Sequence, residues 1–422
     1  MKKLAAVTIV ILLLCAMVSA GEAWPVYPRI GRSLGVGARG ASLANNFTAL
    51  SNDISALYWN PAGLAFLPVR EFQITIDGFR MHYDASIGTI TTRDHHERMR
   101  FTNSGLMAAV PTQVGGFTLA GAYQNPFVFD DISGFSGSVI RDGSEVNLKS
   151  NYSTSGGLRM WSGGFGVQVA PNLGAGVTAS LVGGREDLRS SLTTKDGSGS
   201  VTDTVQNVNA KYFGYDLRAG LMYVHDDLFR LGARVVFPQV IRFEEEVRGS
   251  DNGDRYRFES SGRLYSPLSG SVGGALTLPV ITVTAEGRYT FPYTYIFPND
   301  DIPKNSQAAH FNTGAGAGVE VPLYVVPVIL RAGYSYDKYN LFPYVAVYGD
   351  NDRTWEDVDV DDVHKNLQTI SGGVAIVTHK TAFELGYVLQ TWGRRTESVS
   401  GQGLLEQDYK DHRVIATFSV RY

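Results

Sequence analysis

Residues 414–422 read Val-Ile-Ala-Thr-Phe-Ser-Val-Arg-Tyr. In an extended chain Val414, Ala416, Phe418, Val420 and Tyr422 share one face, and Ile415, Thr417, Ser419 and Arg421 share the other. The same period of two recurs upstream. Phe383, Leu385, Tyr387 and Leu389 oppose Glu384, Gly386 and Gln390, and Phe229, Leu231, Ala233, Val235 and Phe237 oppose Arg230, Gly232 and Arg234. Ile281, Val283, Ala285 and Tyr289 oppose Thr282, Thr284, Glu286 and Arg288, and Val328, Leu330, Ala332 and Tyr334 oppose Arg331, Gly333 and Ser335. Strands of a soluble sandwich run about 5 or 6 residues. These run about 10 or more, the length a tilted strand needs to cross a bilayer. Their apolar faces end in Tyr or Phe, as an interfacial aromatic girdle requires.

The connections support an all-β transmembrane antiparallel barrel. Tight turns fall at 111–116, 171–172, 225–227, 278–280, 322–326 and 378–380. Long polar connections fall near 92–98, 125–153, 187–207, 244–260, 292–308, 338–365 and 393–409. This alternation predicts about fourteen strands, with twelve or sixteen as the neighbouring even counts. They are expected at 70–90, 99–110, 115–124, 154–169, 173–186, 208–224, 228–243, 261–278, 280–291, 309–321, 327–337, 366–377, 381–392 and 410–422. Asp77-Gly78 and Asp84 make the first either two pieces or one bulged strand.

Composition agrees. Gly is 47 of 422 residues, aromatics are 11% and charged residues 18%, against about 7% Gly and 25% charge in ordinary domains. Aromatics at this level exclude a disordered chain. A mean hydropathy of −0.07, with no run of 18 apolar residues after the N-terminus, excludes a helical membrane protein.

Lys2 and Lys3, the apolar run 4–18 and the small residues at 18–20 form a secretory signal peptide over 1–20, with cleavage after Ala20 or Ala23. Leu14 precedes Cys15 where a lipobox needs a small residue. Cys15, the single cysteine, leaves with the signal, so the mature chain has no thiol chemistry. The net charge of −4 becomes more acidic without Lys2 and Lys3, and there is no basic tract for nucleic acid.

Residues 21–69 do not alternate, whereas 70–422 form the barrel. Gly35 to Gly40 fits G-x-G-x-x-G, but no strand precedes it and no βαβ unit follows. The glycines suit tight folding in a confined lumen. Ser51 or Asn52 can cap a short helix ending near Trp59, which Asn60-Pro61-Ala62-Gly63 breaks.

The run GARGASLANNFTALSNDISALYWNPAGLA resembles the N-terminal signature of the FadL/TodX outer-membrane transport proteins and their PorV-like relatives. Asp53, Ser55, Ala56, Asn60, Pro61, Ala62 and Gly63 match it, and the segments 285–289 and 330–336 fit more loosely. The resemblance implies a fourteen-stranded bacterial outer-membrane barrel plugged by a small hatch, shaped and gated by Asp53, Asn60, Pro61, Ala62 and Gly63. It implies passive uptake of hydrophobic small molecules such as long-chain fatty acids. Because PorV-like relatives serve protein secretion, a non-transporting subunit or shuttle of a secretion system is the alternative. The aromatic C-terminal Tyr422 implies recognition of the last strand by barrel-assembly machinery.

No catalytic constellation or cofactor site stands out. There is no G-x-S-x-G elbow, and His95-His96-Glu97 with His82 and Asp84 lack a second cluster at metal-ligand spacing. The acidic stretch 350–362 lacks the Gly and Glu positions of a calcium loop and reads as solvated or as bridging divalent cations to lipid. With apolar faces on lipid, Arg218, Arg230, Arg234, Arg288, Arg331, Arg413, Arg421, Asp216, Glu286 and Glu384 point into the lumen, where charges must pair or be hydrated. They form an internal network, or one or two arginines such as Arg218, Arg288 or Arg331 receive a substrate carboxylate. Phe127, Phe129, Phe135, Phe291, Tyr293, Tyr295 and Phe297 are expected to catch the hydrophobic ligand.

Overall fold

The computed structural model describes residues 32–33, 35–67, 69–87, 90–110, 112, 115–141, 144–195, 197, 199–226, 228–292, 312–338, 345–348, 354–356, 363–397 and 404–422. The expected signal peptide, Tyr293, Tyr295, Phe297 and most of the acidic stretch lie outside these residues.

The wall begins with β1 (Arg70–Ile87), β2 (Ile90–Val110), β3 (Phe117–Val128), β4 (Ser144–Ala170), β5 (Leu173–Lys195) and β6 (Val201–His225). Two interrupted strands follow. β7 comprises Phe229–Val236 and Gln239–Asp251, and β8 comprises Asp254–Ser266 and Ser269–Leu278. Then come β9 (Ile281–Thr290), β10 (Asn312–Leu323), β11 (Val328–Lys338), β12 (Val363–Val377), β13 (Thr381–Glu397) and β14 (Leu404–Arg421).

Each strand pairs antiparallel with the next, and β14 closes on β1 from Glu71 opposite Arg421 to Ile87 opposite Leu405. The ring has fourteen positions, or sixteen segments if the halves of β7 and β8 are counted separately. Both breaks fall at prolines, Pro238 and Pro267, which have no N–H for the ladder. β1 is one continuous strand, and the irregularity opposite it is a bulge at Thr102 of β2.

Several expected loops are strand instead. β5 and β6 pair out to Lys195 opposite Val201, and β7 and β8 to Asp251 opposite Asp254. The 92–98 segment lies within β2. With 23 and 25 residues, β5 and β6 far exceed the 9–11 a bilayer crossing needs. Their polar outer halves are therefore ladders standing above the membrane, and backbone pairing overrides the polarity that reads as loop. The strand Asp131–Arg141 folds back onto β4, and the hairpin Val345–Tyr348/Thr354–Glu356 lies against β8.

The side-chain parity of the sequence is the inside–outside parity of the barrel. Leu106, Trp161, Leu181, Phe213, Val272, Ile370 and Phe383 are exposed on the outer surface. On the inner surface at the same level stand Ser162, Thr178, Ser180, Asp216, Arg218 and Glu286, all buried. A broad apolar surface around a closed barrel is a lipid-facing belt.

Candidate functional site

Residues 35–67 pack inside the barrel. Helix α1 (Ala38–Ser42), helix α2 (Ala56–Trp59) and the 3-10 turn Pro61–Phe66 carry the segment. Ser55, not Ser51 or Asn52, stands at the α2 N-terminus, and the Asp53 carboxylate accepts the Ser55 N–H at 2.8 Å. Ser55 is two positions on from Asp53, so this is an Asx turn.

Asn60 ties the segment to itself and to the wall. Its amide donates to the Thr48 carbonyl (2.9 Å) and to the Leu221 carbonyl of β6 (3.1 Å), and its oxygen accepts the Ala62 N–H (3.1 Å). Pro61 follows at the first position of the 3-10 turn, where no N–H is needed. At Gly63 a Cβ would collide with the Ser51 carbonyl oxygen, and Ala62 is fully buried. The wall offers matching seats: Gly176 beneath Pro61, Gly220 beneath Asn60, Gly232 beneath Thr48 and Gly333 beneath Leu43, none with room for a side chain.

The inward arginines hold this plug. Arg218 makes two bonds to Asp216 (2.7 and 3.0 Å), donates to the Tyr58 carbonyl (2.7 Å) and lies over the Tyr58 ring. Arg288 pairs with Asp337 (2.9 and 3.3 Å) and reaches Asn46 of the plug (3.2 Å). Arg331 bridges Glu320 (2.7 Å) and Glu384 (2.9 Å). From the plug, Arg39 grips both Glu320 oxygens at 2.7 and 2.8 Å. Burial opposes its charge, but Glu320 outweighs that and raises its pKa above the ordinary guanidinium value. Sequence reasoning names the three wall arginines but misses Arg39, which stands inside a segment read for its glycines.

Above the plug the barrel reverses its polarity. In β4 the inward residues change from Gly166, Gly164 and Ser162 to Met160 and Leu158; in β5, from Ser180 to Val182; in β6, from Asp216 to Tyr212 and Ala210. These join Phe127, Phe129, Ile241, Phe243 and Leu264 in one buried apolar cluster above the plug. Its signal lies in the sequence: between Leu158 and Trp161 the apolar parity switches face. Phe291 stands elsewhere, edge-on to the exposed Tyr289 with ring centres 4.8 Å apart.

Two further features lie on the inner face of β2 and at the end of its ladder with β3. Arg100 of β2 and Arg413 of β14 share Asp77 of β1, at 3.0 and 2.6 Å. Arg100 is almost wholly buried and lies against the Phe79 ring, and its Nε and Nη1 have no hydrogen-bond partner among the described residues. Arg98, next along the same face, pairs with Asp130, which adjoins Phe129. The β2–β3 ladder ends at Asn103 opposite Gln124. Beyond a bulge at Asn125-Pro126, Phe127 and Val128 pair with Ser33 and Arg32 instead. The histidines near 95 lie in strand: His82 stacks on His95 and His96 contacts Phe79. Among the described residues no group of His, Cys, Asp or Glu is placed to hold a metal.

A closed, plugged barrel with a lipid-facing belt and an apolar cluster inside defines an outer-membrane β-barrel. Its fold is that of the FadL/TodX channels. It matches the P. putida toluene transporter TodX with a TM-score of 0.62 and 14% identity, covering 93% of this chain and 99% of that one. A Pseudomonas aeruginosa FadL homologue gives 0.62 and 13%, covering 93% and 99%. The Ralstonia pickettii toluene transporter TbuX gives 0.58 and 12%, covering 92% and 98%. No protein-family model and no curated protein matches the chain.

Proposed function

We propose that this protein is a passive channel for hydrophobic small molecules in the bacterial outer membrane, and that its preferred cargo is an amphiphilic acid. The observation that carries the reading is the buried apolar cluster of Phe127, Phe129, Met160, Tyr212, Ile241 and Phe243 above a plug tied to the wall. An aqueous pore gives a greasy solute no advantage, whereas a dry pocket lowers its free energy by about 25 cal/mol per Å² of apolar surface buried. The fold shared with toluene transporters supports the same class.

Arg100 supports the acid. A buried guanidinium with unmet N–H groups against the Phe79 ring, two residues from Arg98 whose partner Asp130 adjoins Phe129, suits a carboxylate whose tail lies among these rings. The end of the β2–β3 ladder, three residues away, offers the cargo a way through the wall that leaves the plug in place.

The test is binding and uptake with the purified full chain in proteoliposomes, using oleate, oleyl alcohol and toluene. Oleate is expected to bind more tightly than oleyl alcohol, and Arg100→Gln to erase that difference while oleyl alcohol binding persists. If none of the three binds and a stable protein partner co-purifies, the channel reading fails and a secretion subunit replaces it.

A further inference from the structure

The polarity reversal that makes the inner apolar cluster has an outer counterpart. Where the inner face turns apolar, the outer face turns cationic. Arg159 stands two residues beyond the exposed Trp161 on β4, Lys211 two beyond the exposed Phe213 on β6, and Arg185 four beyond the exposed Leu181 on β5. Arg242 on β7 lies directly opposite Phe213. All four are exposed. They occupy four adjacent wall strands on the rim opposite the tight turns, the outer-leaflet side of such a barrel.

Several other surface cations are paired. Arg80 is paired with Glu97, Arg93 with Asp84, Lys365 with Asp408 and Arg395 with Glu406. Arg159, Arg185, Lys211 and Arg242 form no ion pair among the described residues. Two like-charge contacts lie directly across the ladder, Arg185 opposite Lys211 and Arg242 opposite Arg263. Like charges in such positions are destabilising unless an anion comes between them. Glu244 opposite Lys211 and Asp187 beyond Arg185 are the acids among them, leaving a net positive band one step above the aromatic belt.

We propose that this band is a docking surface for the phosphate groups of an outer-leaflet lipid, with acyl chains lying along Trp161, Leu181 and Phe213 and phosphates bridging Arg185 to Lys211 and Arg159 to its neighbours. The geometry fits a lipid because cations and apolar side chains adjoin on one convex, membrane-facing surface. A free anion would use the cations without the belt. The surface lies on the opposite side of the wall from the inner apolar cluster and does not depend on the proposed cargo.

The experiment is native mass spectrometry and thermal unfolding of the full chain in phosphatidylcholine nanodiscs. These are doped with diphosphoryl lipid A, dephosphorylated lipid A, or no dopant with inorganic phosphate added. Wild type is expected to retain diphosphoryl lipid A and to unfold at a higher temperature with it, while the other two conditions leave it unchanged. Combined R159Q, R185Q, K211Q and R242Q substitution should lower retention by about tenfold or more, given roughly 1 kcal/mol per cation near an anionic surface. The R159K, R185K and R242K protein should keep most of it, and serves as the folded reference if the glutamine protein does not assemble. Equal retention of the dephosphorylated lipid, an equal response to inorganic phosphate, or loss of retention in the lysine protein would each overturn the proposal.

Discussion

Arg39 of the plug and Glu320 of β10, 281 residues apart in sequence, meet in a two-bond ion pair at 2.7 and 2.8 Å, and Arg331 shares the same carboxylate. With Arg331 also on Glu384, two cations and two carboxylates alternate across the plug–wall boundary. A buried network of this kind loses much when one member goes, because its partner is left desolvated and uncompensated.

Arg39→Met is therefore expected to loosen the plug more than its size suggests. It leaves Arg331 as the remaining partner of two carboxylates and should cost about 3 kcal/mol. Ion conductance in planar bilayers, near zero for a seated plug, should rise in the variant. An unchanged conductance and melting temperature would show that the pair does not hold the plug.

Asn60 separates donor from acceptor. Asn60→Asp keeps the oxygen that accepts the Ala62 N–H but removes both donors, to Thr48 and Leu221. Each buried carbonyl left unmet costs about 1–3 kcal/mol. Asn60→Asp should melt well below wild type, close to Asn60→Ala, and a wild-type melting curve would contradict this.

Gly63→Ala tests close packing within the plug. A Cβ there meets the Ser51 carbonyl oxygen, so backbone must shift at about 1–3 kcal/mol. Gly287, where an added Cβ would meet nothing within 4 Å, is the matched control, and Gly287→Ala should be far milder. Heat-modifiable gel mobility of the two variants measures the difference.

The inner apolar cluster is tested by polarity rather than by volume. Ile241→Asn buries an amide among Phe243, Leu264 and Met160, and burying a polar group without a partner costs about 1–3 kcal/mol. Oleate affinity should fall by about tenfold or more. The exposed Leu231→Asn on the outer surface of β7 should leave affinity unchanged.

Much of the barrel is legible locally. The alternation from Val414 to Tyr422, the tight turn near Pro171-Asn172 and the break at Asn60-Pro61 all act through neighbours in the chain, and the structure places strand, turn and plug break there. The outer halves of β5 to β8 read as loop because their exposed residues are polar, while what makes them strand is hydrogen bonding to partners that polarity does not encode. Pro238 and Pro267 are visible in the sequence, but their effect depends on which ladder bond each would have made.

What the sequence determined by itself is a set of long strands with one apolar face and a non-alternating segment at Asn60-Pro61-Ala62-Gly63, because a period of two and a proline's missing N–H are properties of adjacent residues. Closure of β14 onto β1 decided the rest. It brought Arg39 to Glu320 and Arg218 to Tyr58, turning arginines that could have met a ligand into anchors of the plug, and it left Arg100 with unmet donors against the Phe79 ring. Partners hundreds of residues apart meet only where the ring's register puts them, and the register belongs to the assembled barrel rather than to any one strand.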